Sequence, residues 1–201
     1  MNKTEFWLMN NPARRVSMFF EARKLKKMSG AGKLGAVLEL GCGEGQGTKN
    51  ILRLFNPSSV QAIDLDPKMI TRAKRRVDDK RVTFAVGDAA DLSFAKDESF
   101  DAVFDFGIIH HIPNWQDCLG EVKRVLKPGG LFILEDLSIE SFTTDPLGKG
   151  LRRILDHPYE QMYTREAFDK EIASLGFTVA KQSYLKPYVF WKCLVKAKKS
   201  R

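Results

Sequence analysis

The stretch that decides the fold is VLELGCGEGQG, Val37–Gly47. Four glycines stand at alternate positions after a short apolar run, and Glu39 and Glu44 lie on either side of the first pair. An apolar strand that leads through glycines into a helix is typical of open α/β sheets, which bind ligands at the carboxyl ends of their strands. The segment therefore predicts a ligand site close to the start of the fold.

The glycine spacing does not fit two common nucleotide-binding loops. A dinucleotide fingerprint needs a glycine at its sixth place, which holds Gln46 or Thr48, depending on the glycine from which the count starts. The phosphate loop needs Gly-Lys-Ser/Thr, and this turn lacks it. Glu39 and Glu44 would each repel a pyrophosphate by roughly a few kcal/mol at low effective dielectric. The turn thus predicts a ligand that is cationic at this end.

The rest of the chain alternates short apolar runs with amphipathic stretches, which is typical of an α/β domain. Five strands separated by crossovers are predicted at 36–40, 60–64, 81–86, 100–106 and 131–136, and two closely spaced runs at 177–185 and 188–197 predict a hairpin. We therefore expect a Rossmann-like, doubly wound, seven-stranded sheet. It should be mostly parallel, with an antiparallel C-terminal hairpin strand and helices on both faces.

Two segments outside the strands are predicted to cover the ligand site. A helix over 12–28 belongs to an N-terminal helical cap (1–32), and we expect its buried face to contain Val16, Phe19, Phe20 and Leu25. Residues 137–163 form a long connection, which we expect to act as a substrate lid. Its aromatic and histidine side chains are Phe142, His157, Tyr159 and Tyr163.

Composition predicts one domain (1–201) and a cytoplasmic protein. With 201 residues and 43% hydrophobic content the chain can bury one core, and it has no apolar run of 18 residues and no secretory pattern at its start. We therefore expect no membrane partner. The three cysteines are far apart and lack CxxC spacing, which indicates reduced thiols and no zinc site. The net charge of +8 is spread over several helices, which favours solvated helix faces over nucleic-acid binding.

Beyond the glycine turn, four segments follow in an order that identifies a family: Ala62–Asp66, Val86–Ala90, Phe100–Phe106 and Arg124–Leu131. With these, the sequence resembles the class I S-adenosylmethionine-dependent methyltransferases, in particular the small-molecule, methyltransferase-11-like type with an E/DxGxGxG loop. The resemblance runs from about Val37 to Gly130. It implies S-adenosylmethionine as cofactor, S-adenosylhomocysteine as product, and a small-molecule methyl acceptor.

The resemblance also implies roles for residues at the strand ends. Asp64 would accept hydrogen bonds from both ribose hydroxyls, Asp88 and the Ala89 amide would meet adenine, and the Phe106 carbonyl would receive the methionine ammonium. The implied cofactor contacts are Glu39, Gly41, Cys42, Gly43, Asp64, Leu65, Met69, Asp88, Ala89 and Phe106.

Two residues after the second strand also have a purely structural interpretation. Met69 fits core packing of its helix as well as it fits an adenine contact. Asp66 is the N-cap of a helix that opens at Pro67.

Catalysis in this class needs positioning and the exclusion of water, and a base only when the acceptor must lose a proton. His110 and His111 directly follow the fourth strand and are the candidate catalytic residues, with local packing as the other reading. Asp136 is followed by Leu137 rather than by an asparagine ligand, so we expect no metal. A methyltransferase acting on RNA or another polyanion, and a cofactor-binding accessory protein without turnover, stay open. The sequence does not address the oligomeric state.

Overall fold

The sheet is the frame that positions every candidate residue. A computed structural model describes residues 11–144, 146–153, 158–185 and 189–196. In it, seven strands lie in the order β3-β2-β1-β4-β5-β7-β6. The first five are parallel, whereas β7 runs antiparallel to both β5 and β6. The strands are β1 Ala36–Leu40, β2 Ser59–Asp64, β3 Val82–Val86, β4 Phe100–Phe106, β5 Leu126–Leu137, β6 Phe177–Leu185 and β7 Val189–Lys196.

Helices cover both faces of the sheet. They are α1 Pro12–Ser29, α2 Gln46–Phe55, α3 Pro67–Arg76, α4 Trp115–Val125, α5 Glu140–Thr143, α6 Pro146–Arg152 and α7 Arg165–Ser174, with a 3₁₀ turn at Ile109–His111. One apolar core joins α1, α2 and α3 to the sheet, and the other joins α4 and α7 to the opposite face. The predicted fold class is therefore confirmed.

The helix ends follow local chemistry. Asn11 precedes α1 and accepts a hydrogen bond from the Arg14 amide at 2.9 Å, and Gly30 ends this helix in the left-handed region at φ +60°. Asp66 caps α3 ahead of Pro67, as predicted, and the Thr164 side chain accepts from the Ala167 amide at the start of α7. These caps define where the helices begin and end.

Two details differ from the sequence prediction. Val16 and Phe20 were expected to be buried, but they are 58% and 59% exposed, because α1 packs on the sheet through Ala22 and Leu25. Strand β5 begins at Leu126, earlier than predicted, because Leu126 pairs with Phe100 across a register irregularity before the regular ladder resumes.

Several predicted features fall outside the described part of the chain. These are the first ten residues of the predicted cap, His157 of the predicted lid and the Lys186–Pro187 turn. Within the lid region, the chain forms the short helices α5 and α6.

Candidate cofactor and active site

Backbone hydrogen bonds, within the loop and to strand β2, hold the glycine loop between β1 and α2. The Cys42 amide donates to the Ile63 carbonyl at 2.8 Å, and the Gly45 amide donates to the Cys42 carbonyl at the same distance. Gly41 and Gly43 have φ values of +61° and +51°, which side chains rarely adopt. A Cβ added at Gly41 would overlap the Ile108 side chain, whereas one at Gly43 would meet no atom within 4 Å. The loop is therefore tight on its inner side and open at Gly43.

Glu39 lies beneath this loop. Its side chain is buried and accepts a hydrogen bond from the Thr48 hydroxyl on the first turn of α2. A Cβ at Gly47 would overlap the Glu39 carboxyl, so glycine is required there by close approach. Burial raises the pKa of Glu39 to about 8, against the lowering effect of the Thr48 hydrogen bond. A nearby cation would favour the ionised carboxylate, so the site suits a cationic group.

Asp64 connects the end of β2 to the glycine loop. Its Oδ2 accepts from the Gly43 amide at 2.8 Å, and its Oδ1 accepts from the Asp66 amide at 2.9 Å. Desolvation raises its pKa, while these two backbone donors lower it. A carboxylate has about four lone-pair sites, so two fixed donors leave it able to accept two ligand hydroxyls. Two neighbouring ribose hydroxyls, which donate, require an acceptor of this kind.

Apolar and acidic groups extend the same edge toward β3. Leu65 is 71% exposed and Val86 is 55% exposed, and they lie at the ends of neighbouring parallel strands. Met69, in α3, and Ala89, three residues after the end of β3, are both buried. Each follows one of these strand ends closely in the sequence. The Asp88 carboxyl is exposed and accepts a hydrogen bond from the Ala90 amide in its own turn at 2.8 Å. Exposed apolar side chains with an acidic acceptor fit a flat base that carries an amino group.

A second carboxylate in the glycine loop has a different role. Glu44 binds Arg72 at 3.0 Å and also binds Arg76, both from α3, and it lies 3.9 Å from the Arg15 guanidinium of α1. The arginine side chains that approach the loop are thus bound by a carboxylate of the loop itself. This pairing ties two helices to the glycine loop.

His110 is part of a buried polar network under the end of β4. Its Nδ1 contacts an Asp136 carboxylate oxygen, and its amide donates to the other oxygen at 3.2 Å. The Tyr163 hydroxyl donates to the same carboxylate at 2.6 Å. Asp105 lies close enough that burial and the Asp136 charge raise its pKa well above its usual range. The network therefore contains one carboxylate, Asp136, that is satisfied by donors, and one neighbouring carboxyl, Asp105, that favours its protonated form.

His111 is the more accessible of the two histidines. It is half-buried, and its ring lies against that of His110 with centroids 4.1 Å apart and the ring planes tilted by 36°. His110 is only 3% exposed. The structure thus separates the two predicted catalytic residues into an inner histidine that Asp136 orients and an outer one beside it.

Another network joins α1 to the end of β5. Glu135 is buried, accepts from the Trp191 indole at 2.8 Å, and lies 3.4 Å from the Arg14 guanidinium, which also binds Glu21. Burial and the charge of Glu21 raise the pKa of Glu135 to about 8, against the effect of Arg14. The helix thereby approaches the carboxyl edge of the sheet from above β5.

Sequence reasoning missed the acids of these networks. Asp105 and Asp136 are charged residues inside apolar strand sequences, FDAVFDF and LFILEDL, and that contrast was the available signal. Tyr163 was expected in a lid, but it packs in the core against Trp115 and Phe168. Phe106 ends β4, where it was predicted, and is buried.

Within the described part of the chain, no cluster of three or more His, Cys, Asp or Glu side chains could hold a metal ion. In that same part, no helix is both long enough and apolar enough to span a bilayer.

One known protein family matches the region that contains the glycine loop. Residues 38–134 match the family described as a methyltransferase domain. The fatty-acid O-methyltransferase of Mycolicibacterium smegmatis is 41% identical over 100 residues, which cover 50% of this chain and 36% of that protein. Phthiotriol/phenolphthiotriol dimycocerosates methyltransferase 1 of Mycobacterium ulcerans is 37% identical over 122 residues, covering 59% of this chain and 45% of that protein.

Comparison with solved structures extends the match to nearly the whole chain. A SAM-dependent methyltransferase from Aquifex aeolicus superposes with a TM-score of 0.75 at 20% identity, covering 98% of this chain and 100% of that one. At this identity the likeness concerns the fold. The chain spans less than half the length of the two mycobacterial relatives.

Proposed function

We propose that the chain is a class I S-adenosylmethionine-dependent methyltransferase that methylates an oxygen atom of an apolar small molecule. The observation that carries the methyl-transfer assignment is the bond between Asp64 and the Gly43 amide, which joins a ribose acceptor to an open glycine loop. No phosphate-binding pattern accompanies it, in agreement with a cofactor that lacks phosphate.

The residues at the strand ends fit S-adenosylmethionine. Gly43 leaves open space above the loop, Asp64 has acceptor capacity for two hydroxyls, and Leu65 offers an apolar surface for adenine. Asp88 is the candidate acceptor for the adenine amino group, and Glu39 with the Phe106 carbonyl is the candidate partner of the ammonium. When bound, the cofactor supplies an electrophilic methyl group on a sulfonium.

The acceptor class follows from the relatives together with the histidine network. The two mycobacterial relatives carry names that describe lipid-like molecules with carboxyl or hydroxyl groups. A carboxylate acceptor is already a nucleophile, whereas a hydroxyl must lose a proton as it attacks. A histidine beside the cofactor edge suits the second case because its charge changes near neutral pH.

His111 is the proposed proton acceptor, and His110 is the positioning residue behind it. A proton on His110 Nδ1 that is donated to Asp136 would fix the tautomer and orientation of that ring, against which the tilted His111 ring lies. The part of residues 137–163 that precedes the core residue Tyr163 is proposed as the lid that excludes water, with Tyr159 as the aromatic side chain that would contact the acceptor. Tyr159 lies with its ring 5.2 Å from that of Phe142.

The test is an activity assay with defined acceptors. The protein is incubated with S-adenosylmethionine and either a long-chain fatty acid or a long-chain alcohol, and both S-adenosylhomocysteine and the methylated lipid are measured. The proposal is supported if either acceptor is methylated at a rate that barely depends on salt. Turnover only with RNA, falling steeply with salt, would favour a polyanion acceptor instead. Cofactor binding without turnover on any acceptor would favour an accessory protein.

A further inference from the structure

The outward side of α1 carries an exposed apolar pair where the sequence predicts burial. Val16 and Phe20 lie one helical turn apart, and both are more than half exposed. Ala13, Arg23 and Lys27 are also exposed and continue the same stripe at spacings of three and four residues. The stripe therefore has an apolar N-terminal half and a cationic C-terminal half. We call these five residues the α1 face.

The charge around this face has one sign. Together α1 and α2 contain eight basic residues and one acid, Glu21, which is bound by Arg14. On α2, the exposed Arg53 places its guanidinium 4.7 Å from the Phe19 ring, beside the apolar pair. The basic residues are Arg14, Arg15, Arg23, Lys24, Lys26, Lys27, Lys49 and Arg53.

The apolar half of the face lies beside the cofactor edge. Arg14, two residues before Val16, reaches Glu135 at the end of β5, and Arg15 approaches Glu44 in the glycine loop. The first turn of α1, directly before Val16, therefore contacts the carboxyl end of β5 and approaches the glycine loop after β1. A partner on this surface would therefore sit next to the proposed methyl-transfer site.

We propose that the α1 face docks the protein on an anionic lipid surface. Exposed apolar side chains enter the headgroup boundary, and the surrounding cations are attracted to anionic headgroups. The proposal rests on the proposed function, since an apolar acceptor resides in such a surface, but it concerns binding and can fail alone. A nucleic acid would use the cations of this patch and leave Val16 and Phe20 without a role. Docking of this kind is peripheral and requires no membrane-spanning helix.

The test is co-sedimentation of the full chain with vesicles of equal parts phosphatidylglycerol and phosphatidylcholine, compared with pure phosphatidylcholine. We expect binding to the anionic vesicles only. Phe20→Ser should weaken it about tenfold, because a large apolar contact is lost. Each of Arg23→Gln and Lys27→Gln should weaken it about fivefold.

Matched controls lie on other surfaces. Phe94 is 46% exposed in the segment between β3 and β4, and Lys170 is exposed on α7, which covers the opposite face of the sheet. Phe94→Ser and Lys170→Gln should leave vesicle binding unchanged, and thermal melting checks that all variants are folded.

Three outcomes would overturn the proposal. One is no binding to anionic vesicles. Another is equal loss in Phe94→Ser and Phe20→Ser. The third is RNA binding that depends on Arg23 and is indifferent to Phe20. Methylation of a detergent-solubilised acceptor with no vesicle binding would refute the docking and keep the proposed function. Vesicle binding without turnover would refute the proposed function and keep the docking.

Discussion

Replacing Glu39 by glutamine is the most informative single change, because burial of this carboxyl makes stability depend on pH. The pKa of Glu39 is raised from an ordinary value of 4.5 to about 8 in the folded protein, chiefly by burial. Below about pH 4.5 the Glu39 carboxyl is protonated in both the folded and the unfolded chain. Its ionisation then has no effect on the free energy of unfolding. As pH rises to about 8, the unfolded chain ionises first, so the folded state loses stability across this window.

The size of the effect follows from that interval. At 1.36 kcal/mol per pKa unit, the shift from 4.5 to about 8 corresponds to about 5 kcal/mol. We expect the free energy of unfolding to fall by roughly 3 to 5 kcal/mol across this pH range. Glu39→Gln removes the titration while keeping an acceptor for the Thr48 hydroxyl. The variant should match the wild-type protein near pH 5 in free energy of unfolding and exceed it near pH 9 by about that amount.

Urea unfolding of both proteins between about pH 5 and pH 9 measures this difference directly. Glu166→Gln, at an exposed position of α7, is the control and should not alter the pH profile. Saturating S-adenosylhomocysteine should reduce the alkaline loss in the wild-type protein, because a cation near Glu39 favours its ionised form. Parallel pH profiles for Glu39→Gln and the wild-type protein would refute the assignment of a buried, high-pKa carboxyl.

Three further changes test separate parts of the site. Asp64→Ala should weaken S-adenosylhomocysteine binding at least about tenfold, whereas Asp66→Ala should cost about 1 kcal/mol of stability and leave affinity nearly unchanged in titration; the reverse ranking would place the ribose acceptor two residues away. Tyr163→Phe should lower the free energy of unfolding by about 1.5 to 3 kcal/mol, because Asp136 loses a buried donor; an unchanged denaturation midpoint would count against the network. His111→Gln should lower kcat for an alcohol acceptor by roughly 10²- to 10⁴-fold with little change in S-adenosylhomocysteine affinity, and equal rates in variant and wild type would remove its role as a base.

Local signals were sufficient for the sheet and the glycine loop. Apolar runs of strand length, crossovers and caps at Asp66 and Thr164 are encoded within a few residues, so their positions followed from the sequence. The seven-stranded, mostly parallel sheet with an antiparallel C-terminal hairpin strand also followed, whereas the order of the strands came from the structure alone.

Side-chain burial on α1 could not be predicted in the same way. This helix has apolar residues on several sides, so the sequence does not specify which side packs on the sheet. The small residue Ala22 and its neighbour Leu25 form the contact, and Val16 and Phe20 are left outside. The choice depends on tertiary packing, which overrides a weak helical periodicity.

The buried acids show a related limit. Asp105 and Asp136 lie on different strands, and only the completed sheet brings them beside His110 and Tyr163. The sequence located His110 and His111 as a pair after β4. It contained no sign that one would be oriented by Asp136 and the other left half-exposed.

Cofactor identity tests the central claim most directly, because the ribose, adenine and ammonium assignments all depend on it. Calorimetric titration of the protein with S-adenosylhomocysteine, NAD and ATP at one salt concentration provides the measurement. The arrangement of Glu39, Gly43 and Asp64 predicts saturable one-to-one binding of S-adenosylhomocysteine and no heat of binding with NAD or ATP. Binding of NAD without S-adenosylhomocysteine would contradict the account.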